Sequence, residues 1–174
     1  MKTTLTLMSA VMLTSSAAIA QGWPGNYGGV MMQGFSWDSY ADTKWTNLQS
    51  MAADLDGHID LLWIPNAGNC GDGNQMGYSP RYWFPGHYNS SFGTESELRT
   101  MVATMSAHNI GIIGDVVINH RQNESNWTDF VSETYNGVTY RLTASDIVSD
   151  DDGGETAQHL QSGENLGNPD TGDG

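Results

Sequence analysis

The sequence predicts an α/β fold in which short parallel strands alternate with helices. Three apolar runs have the length and composition of buried strands, and two of them end at glycine or proline. Two further segments carry apolar residues at helical spacing, one after the first run and one before the third. Such alternation builds parallel sheets or barrels, because two parallel strands need a crossover connection between them.

A strand, a helix and a second strand are predicted at the start of this pattern. Residues 28–35 form a short apolar run among glycines, and Asp42 or Thr43 is a suitable N-cap for the helix that follows. The apolar positions of that helix are Trp45, Leu48, Ala52 and Leu55. The second strand covers residues 59–64 and ends at Pro65, after which a long loop rich in glycine, asparagine and aromatic residues begins.

A second helix and a third strand follow the loop. Thr94 and Glu97 have the spacing of a capping box, in which each side chain accepts a backbone N–H of the other residue. The apolar residues behind this box recur at the helical period and are Leu98, Met101, Val102 and Met105. Residues 110–118 are apolar enough to form a strand covered on both faces, as in a parallel sheet.

The composition changes after His120. Asn136-Gly137 lies between two strand-like runs, residues 131–135 and 138–142, and predicts a two-residue β-hairpin turn. Residues 146–174 contain eight acidic side chains and no lysine or arginine, and they show no helical period. We therefore expect a hairpin followed by an irregular acidic segment.

Charge and cysteine content exclude several classes of function. The chain carries 6 basic and 20 acidic side chains, a net charge of −14, so nucleic acids and anionic membranes are poor partners. Cys70 is the only cysteine, which excludes an internal disulfide and cysteine-rich metal sites. After the N-terminal segment, no stretch approaches the ~18 consecutive apolar residues of a membrane span.

Residues 1–20 have the pattern of a secretory signal peptide. Lys2 precedes a mostly apolar stretch with serine and threonine, and the small residues of Ala18-Ile19-Ala20 suit signal peptidase. Cleavage there would leave a mature chain that starts at Gln21. We therefore expect a secreted protein, extracellular or periplasmic, without a membrane anchor.

Three polar residues toward the carboxyl end of the predicted third strand are the first candidates for a site. They are Asp115, Asn119 and His120, and α/β folds place their functional groups at this end of the strands. The alternative is structural: Asp115 would form a strand-end ion pair, and His120 would be a hydrogen-bonded boundary histidine.

The loop of residues 66–93 carries five closely spaced aromatic residues: Tyr78, Tyr82, Trp83, Phe84 and Tyr88. Aromatic faces stack on the apolar faces of sugar rings while polar neighbours bind hydroxyl groups, so this loop suits a carbohydrate. The alternative is a self-packed loop in which Tyr82, Phe84 and Tyr88 bury one another.

The acidic segment offers oxygen ligands of the kind that calcium prefers. Residues 150–152 form one acidic group and Asp170 follows, but Val148 and His159 stand where an EF-hand loop would need acidic residues. Asn119 adds an amide oxygen at a strand end, which can join loop carboxylates on one ion. The alternative is a solvated acidic loop without a metal.

Residues 115–121, Asp-Val-Val-Ile-Asn-His-Arg, resemble the first signature segment of the alpha-amylase family of glycoside hydrolases, which ends the third strand of the family's barrel. Further similar segments occur in the family's order and are residues 33–39, 62–65, 77–80 and 168–172. The resemblance covers nearly all of the chain after residue 20, and the motifs are highly specific in combination.

The resemblance implies the N-terminal part of a (β/α)8 TIM barrel. Residues 21–120 would supply its first three strands, and residues 121–174 would begin the small, calcium-binding domain inserted after the third strand. Such a barrel has eight strands and typically ~250 residues, so three strands cannot close one. We therefore expect this sequence to be the front part of a longer protein.

The resemblance also implies roles at a sugar site. Tyr78 would stack on the sugar ring bound at the cleavage point, and His120 would hydrogen-bond the hydroxyls of that sugar. Asp115 would orient the active site by pairing with an arginine on the fourth strand.

A calcium site is implied in the same way. Asn119 and Asp170 would bind Ca²⁺ and tie the inserted domain to the barrel, and Asp151 is a candidate ligand for a second ion. A metal in that role stabilises the fold and performs no chemistry.

The implied activity requires groups beyond Gly174. In the family, the two carboxylates of retaining hydrolysis and a further aspartate follow the fourth, fifth and seventh strands, so no catalytic residue is assigned in this sequence. The full-length protein, a monomer, would hydrolyse internal α-1,4 bonds of starch, glycogen and maltooligosaccharides. The 174 residues alone are expected to be inactive and not to fold stably.

Two other functions fit the same residues. One is a non-catalytic secreted module that binds α-glucans with calcium through Tyr78, Trp83 and His120. The other is an acidic calcium-binding exported protein with no sugar ligand. Saturable binding of maltooligosaccharides is expected of the first and not of the second.

We predict that the native secreted protein lacks residues 1–20 and is much larger than the 18.9 kDa of this sequence. The size follows because a closed barrel needs the missing strands. The intact mass of the secreted product, together with the coding sequence past Gly174, measures both expectations. A product that ends at Gly174 would exclude hydrolysis and leave glucan binding as the function to test.

Overall fold

The described part of the chain consists of residues 27–70, 76–150 and 153–170 of a computed structural model. The predicted signal peptide and Asp151 lie outside these ranges. The strands and α-helices are β1 (Met31–Gln33), α1 (Trp45–Ser50), α2 (Ala52–Leu55), β2 (Leu61–Ile64), α3 (Glu95–Ala107), β3 (Gly111–Gly114), β4 (Glu133–Tyr135) and β5 (Val138–Tyr140). Within the described ranges, no helix combines the length and the apolar character that crossing a membrane requires.

The first three strands form a parallel sheet in the order β1-β2-β3, which confirms the predicted alternation of strands and helices. Met31 pairs with Leu61, and Leu62 pairs with Ile112, so β2 is the central strand. Leu62 and Ile64 are almost fully buried there. The carboxyl ends of all three strands therefore lie at the same edge of the sheet.

The third strand is shorter than the sequence predicts, because β3 ends well before Ile118. Its partner β2 ends at Ile64, so β3 has no strand beside it with which to continue the ladder. The last bond between the strands runs from the N–H of Asp115 to the carbonyl of Ile64 at 3.1 Å. Beyond this bond the chain leaves the sheet, and Val116 and Ile118 are 71% and 76% exposed.

The expectation that the third strand is covered on both faces is wrong for the described residues. Ile112 and Ile113 are both only half-buried. Ile112 packs against the helical core, whereas Ile113 points to the opposite face of the sheet and lies outside this core. β3 is the last strand of the described sheet, so it has a strand neighbour on one side only.

The core lies between the sheet and helices α1 and α3. Its most deeply buried side chains are Trp45, Leu62, Phe92, Met101, Met105 and Ile110. The predicted capping box begins α3: the N–H of Thr94 donates to Glu97 Oε2 at 2.7 Å, and the N–H of Glu97 donates to Thr94 Oγ1 at 3.3 Å. Val102 was expected on the buried face but is 37% exposed, since it is turned about 100° from Met101.

The predicted N-caps of the first helix are wrong. Lys44 occupies the N-cap position, and neither Asp42 nor Thr43 caps the helix. The N–H of Trp45, the first helical residue, donates to the carbonyl of Phe92 at 2.9 Å. A carbonyl of the long loop thus satisfies the helix end that a local side chain was expected to cap.

The predicted hairpin is confirmed by the antiparallel pairing of β4 with β5. The two turn residues, Asn136 and Gly137, have φ angles of 50° and 79°. Positive φ at both positions defines a type I′ turn, which Asn-Gly adopts readily. Helical structure in and just before the described acidic segment is limited to two short 3-10 turns, at Ala144–Asp146 and Thr156–His159. This agrees with the lack of a helical period in that segment.

Candidate functional site

Residues that follow each of the three parallel strands meet at one edge of the sheet. Trp37 follows β1, Tyr78 follows β2, and Asp115 and His120 follow β3. The rings of Trp37 and Tyr78 stack with their centroids 5.8 Å apart and their planes inclined by 12°. Trp37 is 72% exposed, so the pair presents an aromatic surface where α/β folds bind their ligands. Trp37 was not among the site residues predicted from the sequence.

His120 is tied to the loop that carries Tyr78. Its Nε2 lies 2.7 Å from the backbone oxygen of Tyr78. A carbonyl oxygen only accepts, so Nε2 carries the proton and Nδ1 is the acceptor of the neutral ring. The structural alternative for His120 predicts such a bond. The bond leaves Nδ1 as the nitrogen that can accept a hydrogen bond from a ligand hydroxyl.

Two further bonds join the same two segments. The N–H of Gln122 donates to the carbonyl of Pro80 at 2.9 Å, and the guanidinium of Arg121 donates to the carbonyl of Arg81 at 2.6 Å. Three consecutive residues, 120–122, therefore bind carbonyls of the loop after β2. The segment after β3 and the loop after β2 are cross-linked along their length.

Asp115 acts on Tyr78 through its charge. Burial raises the pKa of the Tyr78 phenol, and the negative charge of Asp115 raises it further. In the described part of the chain no basic side chain forms an ion pair with Asp115, which counts against its structural alternative.

A buried ion pair that sequence reasoning missed joins these segments to the hairpin. The Arg121 guanidinium lies 3.0 Å from the Glu133 carboxylate, and the two side chains are 2% and 0% exposed. Arg121 also donates to the carbonyl of Val131 at 3.1 Å. Glu133 accepts the N–H groups of Trp83 at 3.0 Å and Phe84 at 2.9 Å. Burial lowers the pKa of Arg121, and the charge of Glu133 opposes that shift.

Three aromatic rings of the loop pack within the protein. Tyr82 stacks on His87 at 3.9 Å, and Phe84 stacks on Tyr135 of the hairpin at 4.9 Å. Tyr88 packs against the core. These three rings are therefore packed, but against His87, the hairpin and the core rather than against one another as the self-packed alternative expects. Tyr78 also packs against the core, and its exposed stacking partner Trp37 distinguishes it from them.

A cleft of about 510 Å³ lies beside the ion pair. Both predicted calcium ligands line it: Asn119 comes from the end of the β3 segment and Asp170 from the acidic segment. Asp146 lines the same cleft, but its carboxylate also accepts the N–H of Thr143 at 2.8 Å. The structure thus brings a neutral amide and carboxylates from distant parts of the sequence to one cavity.

These side chains fit part of a calcium site. Amide and carboxylate oxygens are the ligands that Ca²⁺ takes, and the ion requires about six to eight of them. Across residues 27–70, 76–150 and 153–170, no group of three or more His, Cys, Asp and Glu side chains is placed to hold a metal. Asn119 and Asp170 would therefore need backbone carbonyls, waters or further residues to complete the coordination.

The turn that follows residues 120–122 is held by the carboxylate of Asp129. It accepts the N–H groups of Glu124, Ser125 and Asn126 at 2.9 to 3.0 Å, and the hydroxyl of Ser125. Burial raises the pKa of Asp129, but these hydrogen bonds together outweigh burial and lower it to about 2. The charged form of Asp129 is therefore the one that the turn stabilises.

Comparison with known proteins finds bacterial relatives that match part of the chain. The chain is 33% identical over 128 residues to an alpha-amylase of Bacillus licheniformis, covering 67% of this chain and 24% of that protein. It is 33% identical over 102 residues to a glucan 1,4-alpha-maltohexaosidase of Bacillus sp. (strain 707), covering 53% and 20%. The chain thus spans about a quarter or less of the length of these relatives.

A solved structure also matches part of the chain. Alpha-amylase I from Eisenia fetida is similar with a TM-score of 0.43 and 25% identity, over 57% of this chain and 20% of that one. No protein-family model matches the chain.

We predict that acid weakens the Asp129 turn only at low pH. The carboxyl titrates near its ordinary 3.8 in the unfolded chain and near 2 in the folded one. Its stabilising effect is therefore complete above about pH 4 and is lost as the pH falls from about 4 to about 2. Asp129→Asn should lower the Tm of the native protein at neutral pH and have a smaller effect near pH 2.

Thermal unfolding at several pH values measures this difference, with Asp54→Asn as the control, because Asp54 is an exposed aspartate on α2. An equal loss of Tm by Asp129→Asn at both ends of the pH range would show that the charge of Asp129 does not support the turn.

Proposed function

Because this chain belongs to the alpha-amylase family of glycoside hydrolases, we propose that it is the N-terminal part of a secreted enzyme that hydrolyses internal α-1,4-glucosidic bonds of starch and glycogen. The proposal is supported by 33% identity to a bacterial alpha-amylase. Three parallel strands in sequential order are compatible with the start of a (β/α)8 barrel, with residues 121–174 beginning an inserted domain.

The observation that carries the proposal is the meeting of Trp37, Tyr78 and His120 at the carboxyl edge of the sheet. The stacked rings of Trp37 and Tyr78 offer an apolar surface for the face of a sugar ring. His120 Nδ1 would accept a hydrogen bond from a sugar hydroxyl, since Nε2 is held by the Tyr78 carbonyl. Aromatic stacking beside a directional polar group is the chemistry that carbohydrates require.

The reaction itself would use carboxylates outside these 174 residues. Retaining hydrolysis needs a carboxylate nucleophile and a carboxylic acid about 5 to 5.5 Å apart, on either side of the scissile bond. In our proposal the described residues bind and orient the sugar at that bond. Asp115 contributes negative charge beside Tyr78 and the bound ring.

Calcium is proposed as the ion that Asn119 and Asp170 hold. The two residues line the same cleft although one follows β3 and the other lies in the acidic segment. An ion bound by both would join the segments and stabilise the folded state by mass action, because the unfolded chain does not bring them together. It would supply no chemistry to hydrolysis.

We predict that Tyr78→Ala in the full-length protein lowers kcat/KM on starch by at least about tenfold, which corresponds to about 1.4 kcal/mol of lost binding in the transition state. Val102→Ala is the control, because Val102 is 37% exposed on α3 and takes part in none of the contacts described for the sugar site. Initial rates of starch cleavage measure the effect, and circular dichroism checks the fold. Unchanged cleavage by Tyr78→Ala would remove Tyr78 from the sugar site.

We predict that Asn119→Ala lowers the Tm of the full-length protein by a few degrees in calcium-containing buffer and by much less in excess chelator. The difference arises because the substitution removes one ligand of a bound ion. Asn123→Ala is the control, since Asn123 lines the same cleft without being a proposed ligand. A loss of the same size with and without calcium would argue against ligation by Asn119.

A further inference from the structure

The Arg121–Glu133 ion pair and its backbone partners form a unit that we call the clamp. Its charged atoms are bonded to main-chain groups of two segments, the loop after β2 and the residues just before the hairpin. Arg121 donates to the carbonyl of Arg81 at 2.6 Å and to that of Val131 at 3.1 Å. Glu133 accepts the N–H of Trp83 at 3.0 Å. The clamp therefore holds the loop after β2, the segment after β3 and the first strand of the hairpin.

The clamp lies next to the residues that face the sugar site. Arg121 follows His120 directly in the chain, and its anchored side chain fixes the backbone from which the imidazole projects. On the loop side, Arg81 and Trp83 are close in sequence to Tyr78. The bond from His120 Nε2 to the Tyr78 carbonyl, at 2.7 Å, also links these two segments directly.

We propose that Arg121 and Glu133 are positioning residues for substrate, which set the relative placement of Tyr78 and His120 at the sugar site. This inference rests on the proposed function. Neither residue would touch the sugar: both side chains are almost completely buried. They act by fixing the two segments whose side chains do touch it.

A gain in stability does not by itself explain why the charged side chains of Arg121 and Glu133 are buried. Burying two charges costs desolvation energy that their attraction often only offsets, so replacing a buried ion pair with well-packed apolar side chains of similar size is often neutral for stability. What neutral side chains would not reproduce is the set of directed bonds to the Arg81 and Val131 carbonyls. A double replacement therefore separates placement of the site from stability of the fold.

The test compares R121M/E133Q with unaltered protein, using the full-length enzyme and a maltooligosaccharide of defined length. The double variant leaves no unpaired buried charge. We expect its KM to rise about tenfold while kcat changes by less than about threefold, because binding contacts that are equal in ground and transition states are the ones lost. Its Tm should stay within a few degrees of that of the unaltered protein.

The matched control is E95Q/R99M, which applies the same two replacements to an exposed ion pair on α3, where Arg99 Nε lies 2.9 Å from Glu95 Oε1. It should leave KM unchanged. If R121M/E133Q does not accumulate in folded form, Arg121→Lys provides the same measurement. Lysine keeps the charge, but its more strongly hydrated ammonium group lacks the fixed plane that directs the Arg121 Nη2 hydrogens to both carbonyls.

The outcomes separate the two proposals. A folded clamp variant with an unchanged KM, beside active unaltered protein and control, would overturn the positioning role and leave the proposed function intact. If the unaltered protein and the control neither bind nor cleave the oligosaccharide, the proposed function is wrong and the positioning role falls with it.

Discussion

The buried contact between Arg121 and Glu133 is the interaction on which the arrangement of the site depends. Removing two charges from water costs on the order of several kcal/mol per ion, so each charge must find hydrogen-bond partners in the interior. The partners are main-chain groups of Arg81 and Trp83 in the loop after β2 and of Val131 before the hairpin. Satisfying the charges therefore fixes these two segments relative to Arg121 and Glu133. The position of the proposed sugar site follows from an electrostatic requirement of the interior.

The end of β2 at Ile64 explains why the site begins where the sheet ends. The strand beside β2 then has no partner with which to continue the ladder. Backbone groups that leave a sheet must be satisfied elsewhere. Residues 120–122 find the returning loop, and the carbonyls of Tyr78, Pro80 and Arg81 accept their hydrogen bonds. The end of pairing between β2 and β3 thus frees the chain to build the contacts around His120.

The features that could be predicted from the sequence are set by neighbours along the chain. The capping box at Thr94 and the turn at Asn136-Gly137 each depend on residues a few positions apart, and both are present. The N-cap of the first helix was predicted incorrectly, because the N–H of Trp45 is satisfied by a distant loop carbonyl. The same limit applies to the site. Tyr78 could be named from its chemistry, but its stacking on Trp37 requires the strands to be assembled.

The acidic segment concentrates negative charge that a bound calcium ion would reduce. The chain has twenty acidic side chains and six basic ones, and residues 146–170 contain no lysine or arginine. The hydrogen bond from the N–H of Asp170 to Asp150 Oδ1, at 2.8 Å, orders this segment without neutralising its charge. A divalent cation between Asn119 and Asp170 would neutralise it locally. Residues 119–121 would then be fixed to the loop by the buried ion pair and to the acidic segment by the metal. His120 lies between these two attachments in the chain, so the placement of its imidazole would depend on both.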